Sequence, residues 1–509
     1  MSPLASVDTF LNRITMYRLV LYYLVALLGV AFVLGFVPNL VPVDPAQLVF
    51  STFVILAVCF VTNRAFAHVF NAAANVESVY ITALILALII SPVAATDHAG
   101  VGFLVFVSVW AMAAKYIFAI SKKHLFNPAA FAVVLTALTI NQPATWWVGG
   151  NNYLLPLVVI GGLLIVRKIR RFDLVLSFFV VAAVTTVLVS PGGMASGLTP
   201  LIPLLHTSIF FLAFVMLTEP LTTPPTAPLR MLYGAVVGFL FPLNVHLGIF
   251  YMTPELALLI GNVFSWAVSP KGRYMLTLAG IEQQANDVYD FVFNSNRSLK
   301  FRPGQYMEWT LGHRYADNRG NRRYFTIASA PTERQVRLGV KFYAPSSTFK
   351  RALASMKVGD TIAASHIAGG FVLPKDAKKK LVFIAGGIGM TPFRSMIQYL
   401  LDTKDARSVV VLYANKTAAD VAYKTILDRA GMELGIKTVY ALSNEPKPVP
   451  GMYNGSLDAT LIKREIPDYL ERTFYISGPH AMVEAFETTL TSMGVSRFKI
   501  KSDFFPGFV

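Results

Sequence analysis

The sequence predicts a multidomain protein, in which an all-α polytopic membrane bundle is followed by two soluble domains, one rich in β-strands and one of α/β type. The chain has 509 residues, of which 55% are hydrophobic and only 14% charged, a composition typical of integral membrane proteins. Long apolar runs follow one another up to about Pro270 and then stop. From about Met275, apolar and polar residues alternate between turn residues, and this pattern predicts β-strands.

The first part contains about ten apolar runs, and a membrane-spanning helix needs roughly 20 mostly apolar residues. We predict helices near residues 17–38, 47–63, 79–95, 101–120, 128–142, 153–167, 172–190, 204–218, 229–246 and 254–270. Cations gather in every second loop, as they do in cytoplasmic loops. They are Arg13, Arg18, Arg64, Lys122, Lys123, the run Arg167–Arg171, Lys271 and Arg273. This alternation predicts a multi-pass protein of the inner (cytoplasmic) membrane, in contact with membrane lipid, with both termini and the soluble part in the cytoplasm.

The charge and the cysteine content exclude two classes of function. The net charge of +16 is spread over both parts without a dense basic tract, so we expect no nucleic-acid partner. The single cysteine, Cys59, lies in an apolar run and excludes an intrachain disulfide and any four-cysteine zinc or iron–sulfur site. We therefore predict no metal site and an electron path without an iron–sulfur cluster of this chain's own.

Three segments of the first part differ from ordinary helix sequence. Asn127 and Pro128 break a helix at a membrane boundary and free backbone groups to bind a polar ligand. Glu219 is an acid among threonines and prolines at the cytoplasmic side of the bundle, where a carboxylate is costly unless it has a function. The run Ala195–Leu201 lies in a loop that the charge alternation places outside.

Together these segments resemble one family. The motifs Lys-His-x-Phe-Asn-Pro-Ala at 123–129, Ser-Gly-x-Thr at 196–199 and Met-x-Thr-Glu-Pro at 216–220 are similar to those of the flavin-carrying membrane proteins of the Rnf complex and of the sodium-translocating NADH:quinone oxidoreductase. The resemblance covers roughly residues 15–270. It implies FMN bound covalently through Thr199, attached by a flavin transferase, although Leu198 stands where the family has alanine and no aspartate precedes Ser196. The other cofactor-binding residues that it implies are Asn127, Thr218 and Glu219.

The second part begins with a motif for a different flavin. The segment Arg323–Thr326 closely resembles the Arg-x-(Tyr/Phe)-(Ser/Thr) motif of the ferredoxin–NADP⁺ reductase superfamily. The resemblance implies an antiparallel β-barrel over residues 271–375 that binds FAD. A guanidinium suits a diphosphate because it donates two parallel hydrogen bonds. In this family the arginine binds the flavin diphosphate, the aromatic residue packs on the ring, and the hydroxyl lies near N5. Accordingly, Arg323, Tyr324, Phe325 and Thr326 are predicted to bind FAD, with Thr326 also catalytic.

Further cofactor-binding residues follow in the order that the superfamily shows. Two segments resemble its second flavin-phosphate region, and they supply Ser347, Thr348, Gly369, Gly370 and Phe371, to which we add the cation Lys341. The short apolar strand Leu381–Ala385 then leads into a glycine loop. Glycines at a strand-to-helix turn let backbone N–H groups approach a pyrophosphate. The residues predicted to bind the nicotinamide nucleotide there are Gly386, Gly387, Gly389, Thr391 and Pro392.

The last motifs are expected to surround the reacting rings. The segment from Ser477 to Met482 resembles the family's Cys-Gly-Pro-x-x-Met, with serine in place of the cysteine near the nicotinamide. It implies a catalytic Ser477 and cofactor-binding Gly478, Pro479 and Met482 within an α/β nucleotide-binding domain over residues 376–509. The aromatic tail supplies two further catalytic candidates that cover the flavin, Phe505 and Phe508. Both NADH and NADPH remain open, since Lys416 and Arg429 lie where a 2′-phosphate would be bound.

The combined resemblances imply NAD(P)H-dependent transmembrane electron transfer. Hydride would pass from NADH or NADPH to FAD in the cytoplasm, and single electrons would then pass through membrane-bound FMN to an extracytoplasmic acceptor, such as a flavoprotein, or to a quinone. Two alternatives remain. A haem-based reductase of the ferric-reductase or NADPH-oxidase type needs histidine pairs within helices, whereas the histidines here lie mostly at helix ends. A redox-sensing transporter would use the proline-broken segments near residues 127 and 220 as an ion site.

Overall fold

The computed structural model divides the chain into two compact units, Met1–Ser269 and Pro270–Val509. It describes residues 7–8, 10–11, 14–70, 76–120, 123–242, 245–247, 250–269, 273–313, 317 and 321–503. The division lies beside the boundary that we predict at residue 270. The finer boundary at residue 375 stays a prediction.

The first unit is built from helices. They are α1 (Met16–Leu34), α2 (Pro45–Val69), α3 (Val76–Ile89), α4 (His98–Ile117), α5 (Pro128–Ile140), α6 (Leu155–Ile169), α7 (Phe172–Val189), α8 (Leu201–Leu204), α9 (Ile209–Phe211), α10 (Ala227–Leu240) and α11 (Pro254–Val268). Among the described residues, four helices are long and apolar enough to cross a membrane, namely α1, α2, α4 and α7. Helices thus occur at every predicted position except 204–218, while the number of ten spans stays a prediction.

Local capping explains where several of these helices begin. The Asp44 side chain accepts a hydrogen bond from the Gln47 amide at 2.9 Å, and the Asn127 side chain accepts one from Ala130 at 3.1 Å. Proline follows both caps, where its missing N–H removes no helical hydrogen bond. The proline at residue 128, predicted to break a helix, is therefore the first residue of α5.

The prediction of one continuous helix over 204–218 is wrong. Helix α8 ends at Leu204, the chain turns over residues 205–208, and α9 then continues as a π-helical turn over Leu212–Met216. After α8 the backbone bonds are of the i→i−3 type, and both the amide (3.2 Å) and the hydroxyl (2.7 Å) of Thr207 donate to the carbonyl of Leu204. The π turn lies directly before Thr218 and Glu219.

The first unit repeats one arrangement of elements. Helix α4 is followed by the ribbon β1–β2 (Ala119–Ile120 and Lys123–His124) and then by α5. Helix α10 is followed by the ribbon β3–β4 (His246–Leu247 and Phe250–Tyr251) and then by α11. Helices α5 and α11 both start at a proline and are linked by a hydrogen bond from the Asn127 amide to Asn262 Oδ1 at 2.8 Å.

The second unit begins with a curled antiparallel sheet. Its strands are β5 (Arg273–Ala285), β6 (Val288–Ser295), β7 (Tyr306–Thr310), β8 (Arg322–Thr326), β9 (Val336–Lys341) and β10 (Thr361–Ala368), in the spatial order β8-β7-β10-β5-β6-β9. Alternate residues point into a core that contains Phe291, Phe293 and Trp309, all at most 1% exposed. The short helix α12 (Thr348–Ala354) follows β9. Closure of the sheet into a barrel stays a prediction.

A parallel sheet completes the second unit. Its strands are β11 (Leu381–Gly386), β12 (Val409–Asn415), β13 (Lys437–Leu442), β14 (Tyr453–Asn454), β15 (Thr473–Ser477) and β16 (Ile500–Asp503), in the order β14-β13-β12-β11-β15-β16. The helices between them are α13 (Thr391–Thr403), α14 (Lys424–Leu434), α15 (Ala459–Glu465) and α16 (His480–Ser492). Strand β11 is buried along its whole length, as expected for the centre of a parallel sheet. The order reverses beside β11, and ligands of such sheets bind at the carboxyl ends of strands at this point.

Candidate functional site

The glycine loop lies at the carboxyl end of β11. Gly386 ends the strand, a 3₁₀ turn spans Gly387–Met390, and α13 follows. A Cβ atom on Gly386 would collide with Met482, and one on Gly389 would lie 2.6 Å from the Gly478 nitrogen. The loop therefore packs against the segment that begins at Ser477, so two motifs about 90 residues apart in sequence form one surface.

Gly387 is required for its backbone conformation. Its φ of +50° lies in the left-handed region, and no atom lies within 4 Å of the place that a Cβ would take. The Tyr413 hydroxyl fixes this turn by donating to the Gly387 carbonyl at 3.1 Å. Pro392 lies in the first turn of α13, whose N-terminal N–H groups have no partners within the helix. A tight turn at the start of a helix of this length is suited to binding a pyrophosphate.

Ser477 lies where two neighbouring strands end. It is 5% exposed, and its register partners are Ala385 of β11 and Asp503 of β16. Burial raises the pKa of the Asp503 carboxyl to about 7. Phe505 and Phe508 lie outside the described residues, so their predicted role stays a prediction.

The flavin motif forms β8, an edge strand of the curled sheet. Its alternation places Arg323 and Phe325 on one face, where both approach Phe349. The Arg323 guanidinium carbon lies 5.3 Å from the centroid of the Phe349 ring, and the centroid of the Phe325 ring lies 5.9 Å from it. Tyr324 points the other way, and its hydroxyl donates to Glu308 Oε2 at 2.9 Å. The strand thus separates the residue predicted to bind phosphate from the exposed tyrosine.

An acidic residue that the sequence analysis missed lies at this phosphate position. Asp317 accepts hydrogen bonds from Arg323 Nη2 at 3.3 Å and from the Thr348 amide at 3.2 Å, while its own amide donates to Thr348 Oγ1 at 3.0 Å. Arg323 is only 8% exposed, so its charge needs an anionic partner. The carboxylate of Asp317 therefore takes the place of an anion between Arg323 and a main-chain amide. This donor set fits a flavin phosphate, and it brings together Arg323 and the predicted segment at Ser347.

The hydroxyl of Thr326 provides a second test of whether FAD fits. Thr326 is 4% exposed, and its Oγ1 atom has no hydrogen-bond partner in the described part of the chain. A buried hydroxyl without a partner is costly. A cofactor atom with a lone pair or an N–H group would satisfy it, as predicted for the flavin ring. Residues present at β8 thus fit FAD at both its phosphate and its ring.

The remaining predicted residues of this unit have defined contacts. Lys341 forms an ion pair with Asp420 at 3.1 Å, which links β9 to the segment after β12. Gly369 has a φ of +113°, and Gln305 Nε2 donates to its carbonyl at 3.2 Å. The ring of Phe371 lies 5.1 Å from that of Tyr475 in the buried core of the parallel sheet, so its side chain has a packing role.

Two predicted cations differ in how they are engaged. The Arg429 guanidinium pairs with Glu433 at 2.9 Å on α14. Lys416 is exposed in the turn after β12. The assignment of either cation to a nucleotide phosphate stays a prediction.

In the membrane unit, the first two predicted segments meet at Glu219. His124 Nε2 lies 3.0 Å from Glu219 Oε1, and Asn127 Nδ2 donates to Glu219 Oε2 at 2.9 Å. Thr218, 1% exposed, donates to the carbonyl of Phe214 at 2.7 Å. Because Asn127 also caps α5, the carboxylate is held at the start of that helix.

Two residues that sequence reasoning missed extend this cluster. Asn262 accepts a hydrogen bond from the Asn127 amide, and its Nδ2 atom donates to the Tyr233 hydroxyl at 2.9 Å. Asn262 is 1% exposed and Tyr233 is completely buried. The sequence signal for Asn262 is an asparagine within an apolar run, which is a weak one. These contacts make a buried polar network within an otherwise apolar bundle.

The third predicted segment stands apart from this network. Thr199 is exposed in the loop between α7 and α8, after a 3₁₀ turn over Gly193–Ser196. Gly197, two residues earlier, has a φ of +58° and open space where a Cβ would be. The Ser196 hydroxyl is engaged, since it donates to the Pro191 carbonyl at 2.9 Å. The predicted attachment of FMN to Thr199 stays a prediction.

Comparisons with known proteins follow the same division. Residues 148–270 match the NQR2, RnfD, RnfE family model, and residues 383–488 match the oxidoreductase NAD-binding domain model. The chain combines these two modules. The predicted fusion of an Rnf- and NQR-type membrane part with a reductase of the ferredoxin–NADP⁺ reductase type is confirmed, and the second module is an NAD(P)H-dependent flavin oxidoreductase domain. The Lys123–Ala129 motif lies outside the matched residues.

Two curated relatives each match about two fifths of the chain. An NADPH oxidoreductase of Mycobacterium tuberculosis is 28% identical over 208 residues, which is 39% of this chain and 51% of that protein. A flavohemoprotein of Bacillus cereus is 29% identical over 218 residues, which is 40% of this chain and 53% of that protein. The chain therefore spans about half the length of these relatives.

Solved structures give similar coverage. The FAD/NAD-binding domain of nitric oxide dioxygenase from Vibrio cholerae has a TM-score of 0.42 and 20% identity, covering 46% of this chain and 98% of that one. The cytochrome b5 reductase domain of Ulva prolifera nitrate reductase has a TM-score of 0.42 and 22% identity, with the same two coverages.

Proposed function

We propose that the chain is an NAD(P)H-dependent transmembrane electron-transfer enzyme. NADH or NADPH gives hydride to FAD in the second unit, and single electrons leave through FMN in the membrane unit to an extracytoplasmic acceptor or a quinone. The observation that carries the proposal is the continuity of two modules. A reductase with a flavin motif on an edge strand and a glycine loop is part of the same chain as four described helices that are long and apolar enough to cross a membrane.

The residues of the reductase unit have separate tasks. Arg323 and the Thr348 amide bind the flavin phosphate in place of the Asp317 carboxylate. Thr326 offers its unpartnered hydroxyl to the ring, and Ser477 borders the nicotinamide at the end of β15. When bound, the flavin and the nicotinamide supply the redox chemistry, and the protein supplies their orientation and electrostatic environment.

The membrane unit would hold the second flavin. Thr199 carries FMN through a phosphoester bond after the action of a flavin transferase. Its exposure supports this role, because a transferase must reach the hydroxyl. The network of Asn127, Thr218 and Glu219 contributes polar groups within the bundle to the path or to a further flavin.

The central experiment uses proteoliposomes of the full chain, produced together with a flavin transferase, with ferricyanide trapped inside. NADH or NADPH added outside should bleach the trapped ferricyanide through molecules whose reductase unit faces outward. Thr199→Ala should lose this bleaching while it still reduces ferricyanide added outside, because FAD precedes FMN in the path. Rapid reduction of external ferricyanide by the wild type without reduction of the trapped pool would contradict the proposal.

The topology can be tested separately in cells. In a Cys59→Ala background, Thr199→Cys should react with an impermeant maleimide and Lys416→Cys should not, because the alternation of loop cations predicts that these positions lie on opposite sides. Labelling at position 416 with protection at position 199 in intact cells would reverse the orientation and remove the membrane from the electron path.

A further inference from the structure

The helix that follows the glycine loop is fastened to the flavin strand by two buried side chains. Arg394 and Ser395, in the first turn and a half of α13, are 5% and 0% exposed. Ser395 Oγ donates to the carbonyl of Ser329 at 2.7 Å, and Arg394 Nη1 donates to the carbonyl of Ala328 at 3.1 Å. These two carbonyls belong to the second and third residues after Thr326. Helix α13 is thus hydrogen-bonded to the chain immediately after the flavin motif.

Ala328 and Ser329 are also hydrogen-bonded on their other side. The Ala328 amide donates to the Arg337 carbonyl at 2.9 Å, and the Arg337 amide donates to Ser329 Oγ at 3.1 Å. Both bonds connect the segment to β9 of the curled sheet. Ala328 and Ser329 are therefore fixed between the flavin domain's own strand and the nucleotide helix, so a shift of α13 cannot leave them in place.

The charge of Arg394 is balanced within the same contact. Its guanidinium makes two hydrogen bonds to Glu333, the Nη2–Oε1 bond being 2.9 Å long. Glu333 also accepts from the Ala330 amide at 2.5 Å, which closes the turn after Ala328 and Ser329. A buried bidentate pair has one preferred geometry, so it fixes orientation as well as distance.

The rest of the interface gives α13 little freedom to slide. A Cβ atom on Gly339 of β9 would lie 2.7 Å from Thr391 Cγ2, so the first residue of α13 already touches the strand. Asp290 of β6 is fully buried and accepts a hydrogen bond from the Tyr423 hydroxyl at 2.6 Å. Contacts so close favour one position of the nucleotide helix relative to the flavin strand over a range of positions.

We infer that Arg394 and Ser395 are positioning residues, which set the distance and angle between the nicotinamide site and the flavin site for hydride transfer. The inference rests on the proposed function and extends it to two residues that are not assigned to either cofactor. Hydride transfer requires the reacting atoms to lie about 3–3.5 Å apart, and a displacement of about 1 Å lowers a rate by roughly 100-fold. Two hydrogen bonds that join the helix after the glycine loop to the chain just after the flavin motif are therefore placed where small changes have large effects.

The test measures hydride transfer and binding separately in the FAD-loaded full chain. Ser395→Ala removes one bond, and Arg394→Lys keeps the charge near Glu333 but loses the fork geometry. Ser492→Ala is the matched control, because Ser492 also donates to a carbonyl at 2.8 Å but is exposed at the end of α16. Stopped-flow absorbance gives the FAD reduction rate at saturating NADH or NADPH, and titration with NAD⁺ or NADP⁺ gives the nucleotide Kd. Amide hydrogen exchange of residues 327–337 reports, without any turnover, whether Ala328 and Ser329 are still held by α13 and β9.

We expect Ser395→Ala to lower the reduction rate by roughly 10-fold, with a Kd changed by less than about 2-fold and faster exchange in residues 327–337. Arg394→Lys should act in the same direction if Ser395→Ala does not fold, and Ser492→Ala should match the wild type. A wild-type reduction rate in a variant whose exchange has risen would overturn the inference, and so would a rate loss explained by a weaker Kd. A wild type that holds FAD but is reduced by neither nucleotide would instead contradict the proposed function, and the inference with it.

Discussion

The two regions proposed to hold flavin differ in every physical respect. At β8 the contacting groups are buried and oriented, with Arg323 8% and Thr326 4% exposed. In the loop between α7 and α8, Thr199 is exposed and follows a glycine with open space around it. A cofactor held only by noncovalent contacts needs a prepared set of donors. A cofactor held by a covalent bond needs a hydroxyl that another enzyme can reach, so an open loop suffices.

The largest expected effect is the loss of FAD affinity when the arginine of β8 is removed, and a dispensable arginine would contradict the contrast between the two flavin regions. Arg323→Ala should weaken FAD binding by about 2–3 kcal/mol, roughly 30- to 150-fold, because a charge-assisted contact to phosphate is lost. NAD(P)H oxidation should fall with it. Fluorescence titration of the deflavinated protein with FAD measures the affinity. Arg322→Ala is the control, since the side chain of this neighbour is 47% exposed and its ion pair with Glu308 is long, at 3.7 Å. Equal FAD affinity in the two variants would contradict the assignment.

At the other flavin, the prediction concerns a covalent bond. Flavin fluorescence should migrate with the denatured wild-type chain, and Thr199→Ala should abolish it, because noncovalently bound flavin leaves the chain on denaturation. Ser196→Ala should keep the signal, since the Ser196 hydroxyl already donates to Pro191. Peptide mass spectrometry should find the added FMN on the peptide that contains Thr199. An unmodified peptide from cells with an active transferase would show that the bundle does not carry covalent flavin there.

A subtler change sharpens the contrast at the ring. Thr326→Val keeps the shape but removes the unpartnered hydroxyl, and we expect FAD reduction to slow by roughly 10-fold while FAD stays bound, as typical for the loss of one neutral hydrogen bond. Rapid-mixing absorbance measures the rate. Thr488→Val is the control, since this exposed hydroxyl on α16 donates to the carbonyl of Glu484 at 2.9 Å, and it should have no effect. Unchanged reduction in Thr326→Val would place the hydroxyl away from the reacting ring.

The smallest expected effect is a pH dependence of stability. Burial raises the pKa of Asp503 to about 7, above the value of about 4 of an unfolded aspartate. The folded chain therefore binds the proton more tightly, so this group's stabilising contribution is present below about pH 4 and is lost as the pH rises towards 7. Asp503→Asn should flatten the corresponding part of the curve of unfolding temperature against pH. The same slope in the variant and the wild type would assign the effect to other groups.

The sequence predicted the elements better than the contacts between them. Apolar runs and capping residues are local signals, so the helices lie where expected. The break within 204–218 consists of i→i−3 turns after Leu204 and of the π turn, which composition does not reveal. At the flavin site, the motif named Arg323 but not Asp317, because Asp317 lies in the loop before the motif and its bond to the Thr348 amide joins segments that only the fold brings together.

Contacts between distant segments were also missed inside the bundle and at the start of α13. Glu219 and Asn127 stood out as polar residues in apolar surroundings, whereas their connection through Asn262 to Tyr233 exists only because α5 packs on α11. Arg394 and Ser395 carry no sequence signal beyond amphipathic helix spacing. Their importance follows from two carbonyls more than 60 residues earlier, which hydrogen-bond patterns alone identify.

The π-helical turn over Leu212–Met216 accommodates one residue more than a regular α-helical turn. Each residue of an α-helix rotates the chain by about 100° around the axis. If the same residues wound as a regular α-helix, the extra residue would turn Glu219 by roughly that angle, away from His124 and Asn127. The wider turn absorbs the extra residue, so the direction of the carboxylate depends on the winding of five apolar residues before it and not on any polar group.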